Sequence, residues 1–179
     1  MTRPERPRCS WATSAPEYVA YHDDEWGTTL HGEQALFERM SLEAFQSGLS
    51  WLIILRKRPG FRAAFADFDI DRVARFGARD VARLLADTAI VRNRAKVEAT
   101  ITNARAVRES VPEGFDELLW SFAPAGRAPF EVRSTSPESI ALSKELKRRG
   151  FAFVGPTTSY SLMQAVGMVN DHQPGCWRA

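Results

Sequence analysis

Four residues of metal-ligating type stand in two couples at opposite ends of this 179-residue chain: Cys9 with His22, and His172 with Cys176. They account for both cysteines and two of the three histidines. The run His172-Gln173-Pro174-Gly175-Cys176 places a turn-forming Pro-Gly between two ligand types, a loop that suits a tetrahedral zinc site. If all four bind one ion, zinc ties the N-terminus to the C-terminus. A site closed by four protein ligands is structural, because it keeps no open position for substrate. Two buried thiols beside two ordinary histidines explain the same residues, and so thin a count does not separate the readings.

A second constellation centres on Glu43. At 100° per residue it lies within about 20–60° of Leu36 and Met40, so the helix points a carboxylate where apolar side chains point. A carboxylate there needs donors, a raised pKa or a ligand. Trp11, Tyr18, Tyr21, Trp26 and Trp51 supply flat aromatic faces around it. Such walls with one acceptor suit a planar, electron-poor ring, held by stacking and cation–π attraction while the carboxylate takes its N–H groups. The plainer reading is a buried Glu satisfied by an Arg or by backbone amides, among core aromatics.

The elements that must position these residues read as helical throughout. Ser14-Ala15-Pro16-Glu17 has the form of a capping box opening a helix towards Trp26, with Tyr18, Tyr21 and His22 on one face. A second helix is expected over Glu33 to Ser50, apolar on two sides and therefore central. Its spacing aligns Glu43, Ser47 and Trp51. Pro59-Gly60 reads as a break before Phe61, Ala64, Phe65 and Phe68. Short helices start at Asp71 and Asp80 around Gly77, and an amphipathic helix follows from Asn93 to Val111. Further helices are expected over Phe115 to Phe122, from Ser136-Pro137 to Gly150, and from Thr157 to Val169. The stretch Ala123 to Thr135 reads as a loop, and Phe151 to Val154 as a short extended piece. The fold class is all-α in a single domain over 1–179, with 1–8 a flexible tail.

Net charge is only +2, yet nine Lys or Arg against three acids between Arg72 and Arg108 make that stretch +6 and leave about −4 elsewhere. A basic segment in a mildly acidic chain is a candidate phosphate-facing surface, or simply a solvated helix face. Between Leu84 and Val97 a tight connection joins two helices and puts Arg92, Arg94 and Lys96 at the start of the second. Amides and dipole there could seat a phosphate. This is a helix-hairpin-helix pattern, although Ala89 stands where a hairpin glycine is expected and a plain αα-turn would also fit. No apolar run reaches the length of a membrane span and the first residues lack a signal-peptide core, so a cytoplasmic, membrane-free protein is expected.

Cys9-Ser10-Trp11, Tyr21-His22-Asp23-Asp24-Glu25-Trp26-Gly27, the run from Leu42 to Trp51, Ala141 to Lys144, Lys147 to Gly155 and Asn170-Asp171-His172 together resemble the DNA-3-methyladenine glycosylase I (Tag) family. The resemblance runs from Cys9 to Cys176. It implies a helix-hairpin-helix glycosylase fold and one structural zinc on Cys9, His22, His172 and Cys176. It implies that Glu43 hydrogen-bonds the methylated adenine, that Tyr21 and Trp51 stack on it, and that Tyr18 and Trp11 line the pocket. Gly48 and Leu49 match the family's wedge into the duplex, and Arg92, Arg94 and Lys96 are expected on the DNA.

The activity so implied is removal of 3-methyladenine from double-stranded alkylated DNA by a monomeric, monofunctional enzyme that leaves an abasic site in base excision repair. Two other classes stay open at this stage. One is a zinc-stabilised DNA-binding module without catalysis, which would have no reason to keep an acid among aromatics. The other is a zinc hydrolase, which would need an open metal position.

Overall fold

The structure, a computed structural model, describes residues 6–126 and 130–179. Among the described residues the apolar spacing condenses into nine α-helices and two 3-10 turns with no strand. After a 3-10 turn at Ser10–Thr13 come α1 (Pro16–Asp24), α2 (Glu33–Gln46), α3 (Trp51–Ala64), α4 (Ile70–Ala74), α5 (Ala78–Ala86), α6 (Arg94–Ser110), α7 (Phe115–Trp120), α8 (Pro137–Arg148) and α9 (Pro156–Ala165). One continuous apolar cluster runs from Leu36 and Phe37 on α2 through Phe61 and Phe65 to Val97 on α6, Leu142 on α8 and Met163 on α9. Helix α2 is its axis: nine of its residues from Leu36 to Phe45 are buried, and α3, α6, α7 and α9 all pack on it.

Several sequence expectations change. Helix α1 starts at Pro16 with Ala15, not Ser14, at its cap; Ser14 Oγ instead donates back to the Trp11 carbonyl at 3.5 Å. Helix α2 stops at Gln46 and not at Ser50, because Ser47 is extended (φ −46°, ψ 117°) and Gly48 takes φ +79°, a region that favours glycine. Trp51 therefore begins α3 and does not share a helix face with Glu43. Pro59-Gly60 does not break the chain: α3 passes through both. Packing explains Gly60, since a Cβ there would sit 2.5 Å from the Ala89 carbonyl oxygen of the α5–α6 connection. Phe151 to Val154 is not extended, as Phe153 has φ +56°, and the last helix ends at Ala165. The loop expected over Ala123 to Thr135 lies partly outside the described residues.

The described ends of the chain meet. Trp177 N–H donates to the Pro7 carbonyl at 2.9 Å and Ser10 N–H to Gln173 Oε1 at 2.7 Å. Arg8 grips Asp23 through two bonds of 2.9 and 2.7 Å. Residues 6–8 are thus docked and not the tail expected there; 1–5 lie outside the described residues.

Candidate functional site

The two end couples come together. Cys9, His22, His172 and Cys176 are all buried, and their ligand atoms lie within 4.8 Å of one another. Cys176 Sγ is 3.3 Å from His22 Nε2, and the two sulfurs are 3.7 and 3.6 Å from His172 Nδ1. Bond lengths of about 2.3 Å to sulfur and 2.0–2.1 Å to nitrogen give a tetrahedral N···S edge of about 3.6 Å. Three of the cluster's edges therefore match a zinc tetrahedron. Burial pushes the Cys9 thiol up to about 11, so a thiolate there needs a cation. Asp23 Oδ1 faces His22 Nδ1 at 3.0 Å, a carboxylate behind a histidine of the kind that fixes a ligand's tautomer, and Arg8 holds Asp23 well below the usual carboxylate range. Asp23 was not singled out in the sequence, though its place beside His22 is the signal that could have found it.

The same helix carries the wall of a cavity of about 620 Å³. Trp11, Tyr18, Tyr21, Trp26, Glu43 and Trp51 all line it, so the structure gathers every residue of the second constellation around one space. Trp11 meets Tyr18 edge-on at 5.8 Å and Trp26 at 5.1 Å, while the Tyr21 and Trp51 rings stand 5.4 Å apart. Tyr18 is fixed by the Leu52 N–H, which donates to its hydroxyl at 3.0 Å and ties α1 to the first turn of α3. Trp51 Nε1 is a buried donor with no acceptor among the described residues.

Glu43 is buried, and no donor among the described residues hydrogen-bonds its carboxylate. Burial pushes its pKa up from 4.5 to about 7, with the Arg39 charge opposing. The sequence reading allowed for an Arg beside Glu43 without naming Arg39; its place one turn before Glu43 was the available signal. It is 8% exposed, donates Nη1–H to the Tyr21 hydroxyl at 3.0 Å, and donates Nη2–H to Glu25 at 3.0 Å. Burial works against ionisation of Glu25, but Arg58, bound to both its oxygens at 2.6 and 2.8 Å, and Arg39 hold its pKa below the usual value. Gln46, Gln164, Asp171 and the segment 130–133 also line the cavity, without any sequence spacing to announce them.

The basic residues divide. Arg92 and Arg94 are exposed at the start of α6, with Arg94 bound to Glu98 at 3.1 Å. Lys96 is not available to a phosphate: it is buried, and its Nζ donates to the carbonyls of Phe45 and Ser47 at the end of α2. Four orphan carbonyls at a helix end attract a cation, and that attraction draws Lys96 inward. The α5–α6 connection turns without glycine: Asp87 Oδ1 accepts from the Ala89 N–H at 2.8 Å, and Asn93 caps α6 through the Lys96 N–H at 3.1 Å. Gly48 and Leu49 form the turn between Glu43's helix and Trp51's.

The model of methyladenine glycosylases matches residues 11–179. The chain belongs to the methyladenine glycosylase family. It is 45% identical over 177 residues to DNA-3-methyladenine glycosylase 1 of Escherichia coli (strain K12), covering 94% of this chain and 95% of the relative. A crystal structure of 3-methyladenine DNA glycosylase I (TAG) superposes with a TM-score of 0.90 at 45% identity, over 95% of this chain and 98% of the other. The Staphylococcus aureus 3-methyladenine DNA glycosylase I, from a study of 3-methyladenine recognition, gives 0.89 at 35% identity, over 96% and 95%. Among the described residues no helix is long and apolar enough to cross a membrane.

Proposed function

We propose that this chain is a DNA-3-methyladenine glycosylase, a hydrolase that removes 3-methyladenine from alkylated duplex DNA during base excision repair. The observation that carries the reading is Glu43, a buried carboxylate with no donor of its own among the described residues, in the wall of an aromatic cavity. Such a group waits for a ligand that brings N–H donors and positive charge.

An adenine methylated at N3 brings both. Its ring is cationic, its exocyclic amine donates, and its faces suit Tyr21 and Trp51, with Trp11 and Tyr18 closing the pocket. In the empty cavity Glu43 would be about half protonated at neutral pH, and the arriving cation favours its ionised form. The C1′–N bond then breaks with its electron pair going to the base, which leaves neutral. Water adds its oxygen to C1′ and gives up a proton, so a hydroxyl stands at the abasic sugar. A neutral leaving group needs no general acid, so Glu43 acts in binding and lesion recognition. No lysine is among the described residues lining the cavity, and Lys96 is engaged by two carbonyls, which supports monofunctional hydrolysis without strand cleavage.

The nucleotide must leave the stack, at a cost of a few kcal/mol. Gly48 and Leu49 are the proposed wedge, and α5 with α6 the helix-hairpin-helix that holds the backbone through Arg92 and Arg94. Cys9, His22, His172 and Cys176 would hold one structural zinc, which closes a four-ligand site and takes no part in the reaction. It would brace α1, whose Tyr21 adjoins His22. The protein is read as one domain over 1–179, monomeric and cytoplasmic, acting on duplex DNA. The test is to incubate it with methylated duplex DNA and identify the bases released.

A further inference from the structure

Tyr21 is tilted by 51° to Trp51, so a base stacked flat on Trp51 meets Tyr21 at an angle that leaves its hydroxyl a role. Its hydroxyl oxygen accepts from Arg39 Nη1–H at 3.0 Å, and the guanidinium carbon stands 5.3 Å from the ring centre. A phenol oxygen so occupied still has one proton to give. Among the described residues no acceptor takes it: the Glu43 carboxylate is near enough to interact electrostatically but does not hydrogen-bond it. The ring is buried and the residue lines the cavity, so the free direction for that proton is the cavity.

Arg39 is itself held. Its Nη2–H donates to Glu25, and Arg58 on α3 fixes Glu25 through both oxygens. The charged and titratable groups facing it are Tyr21 from α1, Glu25 just after α1 and Glu43 on its own helix; together they more than offset the burial that disfavours its charge. Burial also holds the Tyr21 hydroxyl well above its usual pKa despite Arg39, so the proton stays on.

We propose that Arg39 is a positioning residue: it occupies the oxygen of Tyr21, turns the phenolic proton into the cavity, and makes Tyr21 the hydrogen-bond donor to a ring nitrogen of the departing base. This rests on the base-pocket reading above. As the C1′–N bond breaks, the electron pair enters the purine and its ring nitrogens become better acceptors. A donor aimed at one of them binds the transition state more tightly than the cationic ground state, and only such differential binding accelerates the step. An acceptor helps earlier, by holding the cationic base once it has left the stack, and gains nothing further as the base loses its charge. Glu43 and Tyr21 thus divide the work, the carboxylate recognising the cation and the polarised hydroxyl favouring its departure.

The test is a double-mutant cycle of Arg39→Met and Tyr21→Phe, read as single-turnover excision of 3-methyladenine and as inhibition by free 3-methyladenine. Arg39→Met leaves Glu25 on Arg58; should it fail to fold, Arg39→Gln serves the same cycle. Arg39→Met alone is expected to slow excision tenfold or more. In the Tyr21→Phe background it should cost less than twofold, because the hydroxyl it acts through is gone. Arg39→Lys, which keeps a buried donor, should stay within threefold of wild type. If the two losses multiply, or Arg39→Lys is as slow as Arg39→Met, Arg39 does not act through Tyr21, although the pocket stands. If Tyr21→Phe itself changes neither excision nor inhibition, the hydroxyl is not used and the proposal fails while the pocket stands. If the wild-type protein neither excises 3-methyladenine nor is inhibited by it, the pocket reading is at fault.

Discussion

Replacing Glu43 by Gln should make the protein more stable at neutral and alkaline pH while impairing its activity. The carboxyl is buried and its pKa stands at about 7 against an ordinary 4.5. Between those values the folded protein holds a proton that the unfolded chain has lost, so this group's contribution to stability falls as pH rises. At about 1.4 kcal/mol per pKa unit, the cost reaches about 3 kcal/mol above pH 7 and vanishes below pH 4.5. A Gln of the same shape carries no such term; whatever its unpaired amide costs is independent of pH. Denaturant unfolding of both proteins from pH 4.5 to 8.5 should give a stability difference that grows by about 3 kcal/mol in favour of Glu43→Gln, most of it between pH 5 and 7. A difference that stays flat would mean that Glu43 titrates normally and that the cavity does not hold it out of water. On methylated DNA the same variant should excise 3-methyladenine about 10–100-fold more slowly, the scale of one charge-assisted hydrogen bond, with duplex affinity nearly unchanged.

Other perturbations separate the parts of the account. Arg92→Ala and Arg94→Ala should weaken binding to duplexes of any sequence and each lower the slope of log affinity against log salt by about one, in titrations at several salt concentrations. Cys176→Ala should reduce zinc, measured by elemental analysis, from one per chain to none and lower the melting temperature by about 10 °C, the scale of about 3 kcal/mol in a chain of this size. Gly60→Ala gains about 1 kcal/mol of helix propensity but brings a Cβ to 2.5 Å from the Ala89 carbonyl oxygen. Overpacking of about 1–3 kcal/mol should win, seen as net destabilisation in denaturant melts and looser DNA binding through a displaced hairpin.

The Cys/His cluster was legible because cysteine and histidine are scarce here, so four of them had few other partners. Glu43 was legible because the helical period alone sets its direction, and that period holds where α2 is regular. It fails at the end of α2: the bend at Ser47 and Gly48 moves Trp51 to another helix, yet Trp51 still lines the same cavity. Charges were the least legible. Lys96 read as a phosphate contact by its position in a basic run, whereas the unpaired carbonyls ending α2 draw it inside. Arg39 and Glu25 escaped notice because their half-buried ion pairs join α2 and α3 to the residue that follows α1, and no local spacing records them. Pro59 misled for a similar reason: the packing of α3 at Gly60 overrides a local signal that ordinarily ends a helix.

The central claim is that the cavity walled by Glu43, Tyr21 and Trp51 receives 3-methyladenine from DNA. Its most direct measurement is chromatography of the bases released from duplex DNA treated with a methylating agent, with the strands checked for breaks. Free 3-methyladenine, alkali-labile sites in otherwise intact strands, and release slowed about 10–100-fold in the Glu43→Gln protein are expected. DNA bound without any base released, or strands cleaved at the lesion, would contradict it.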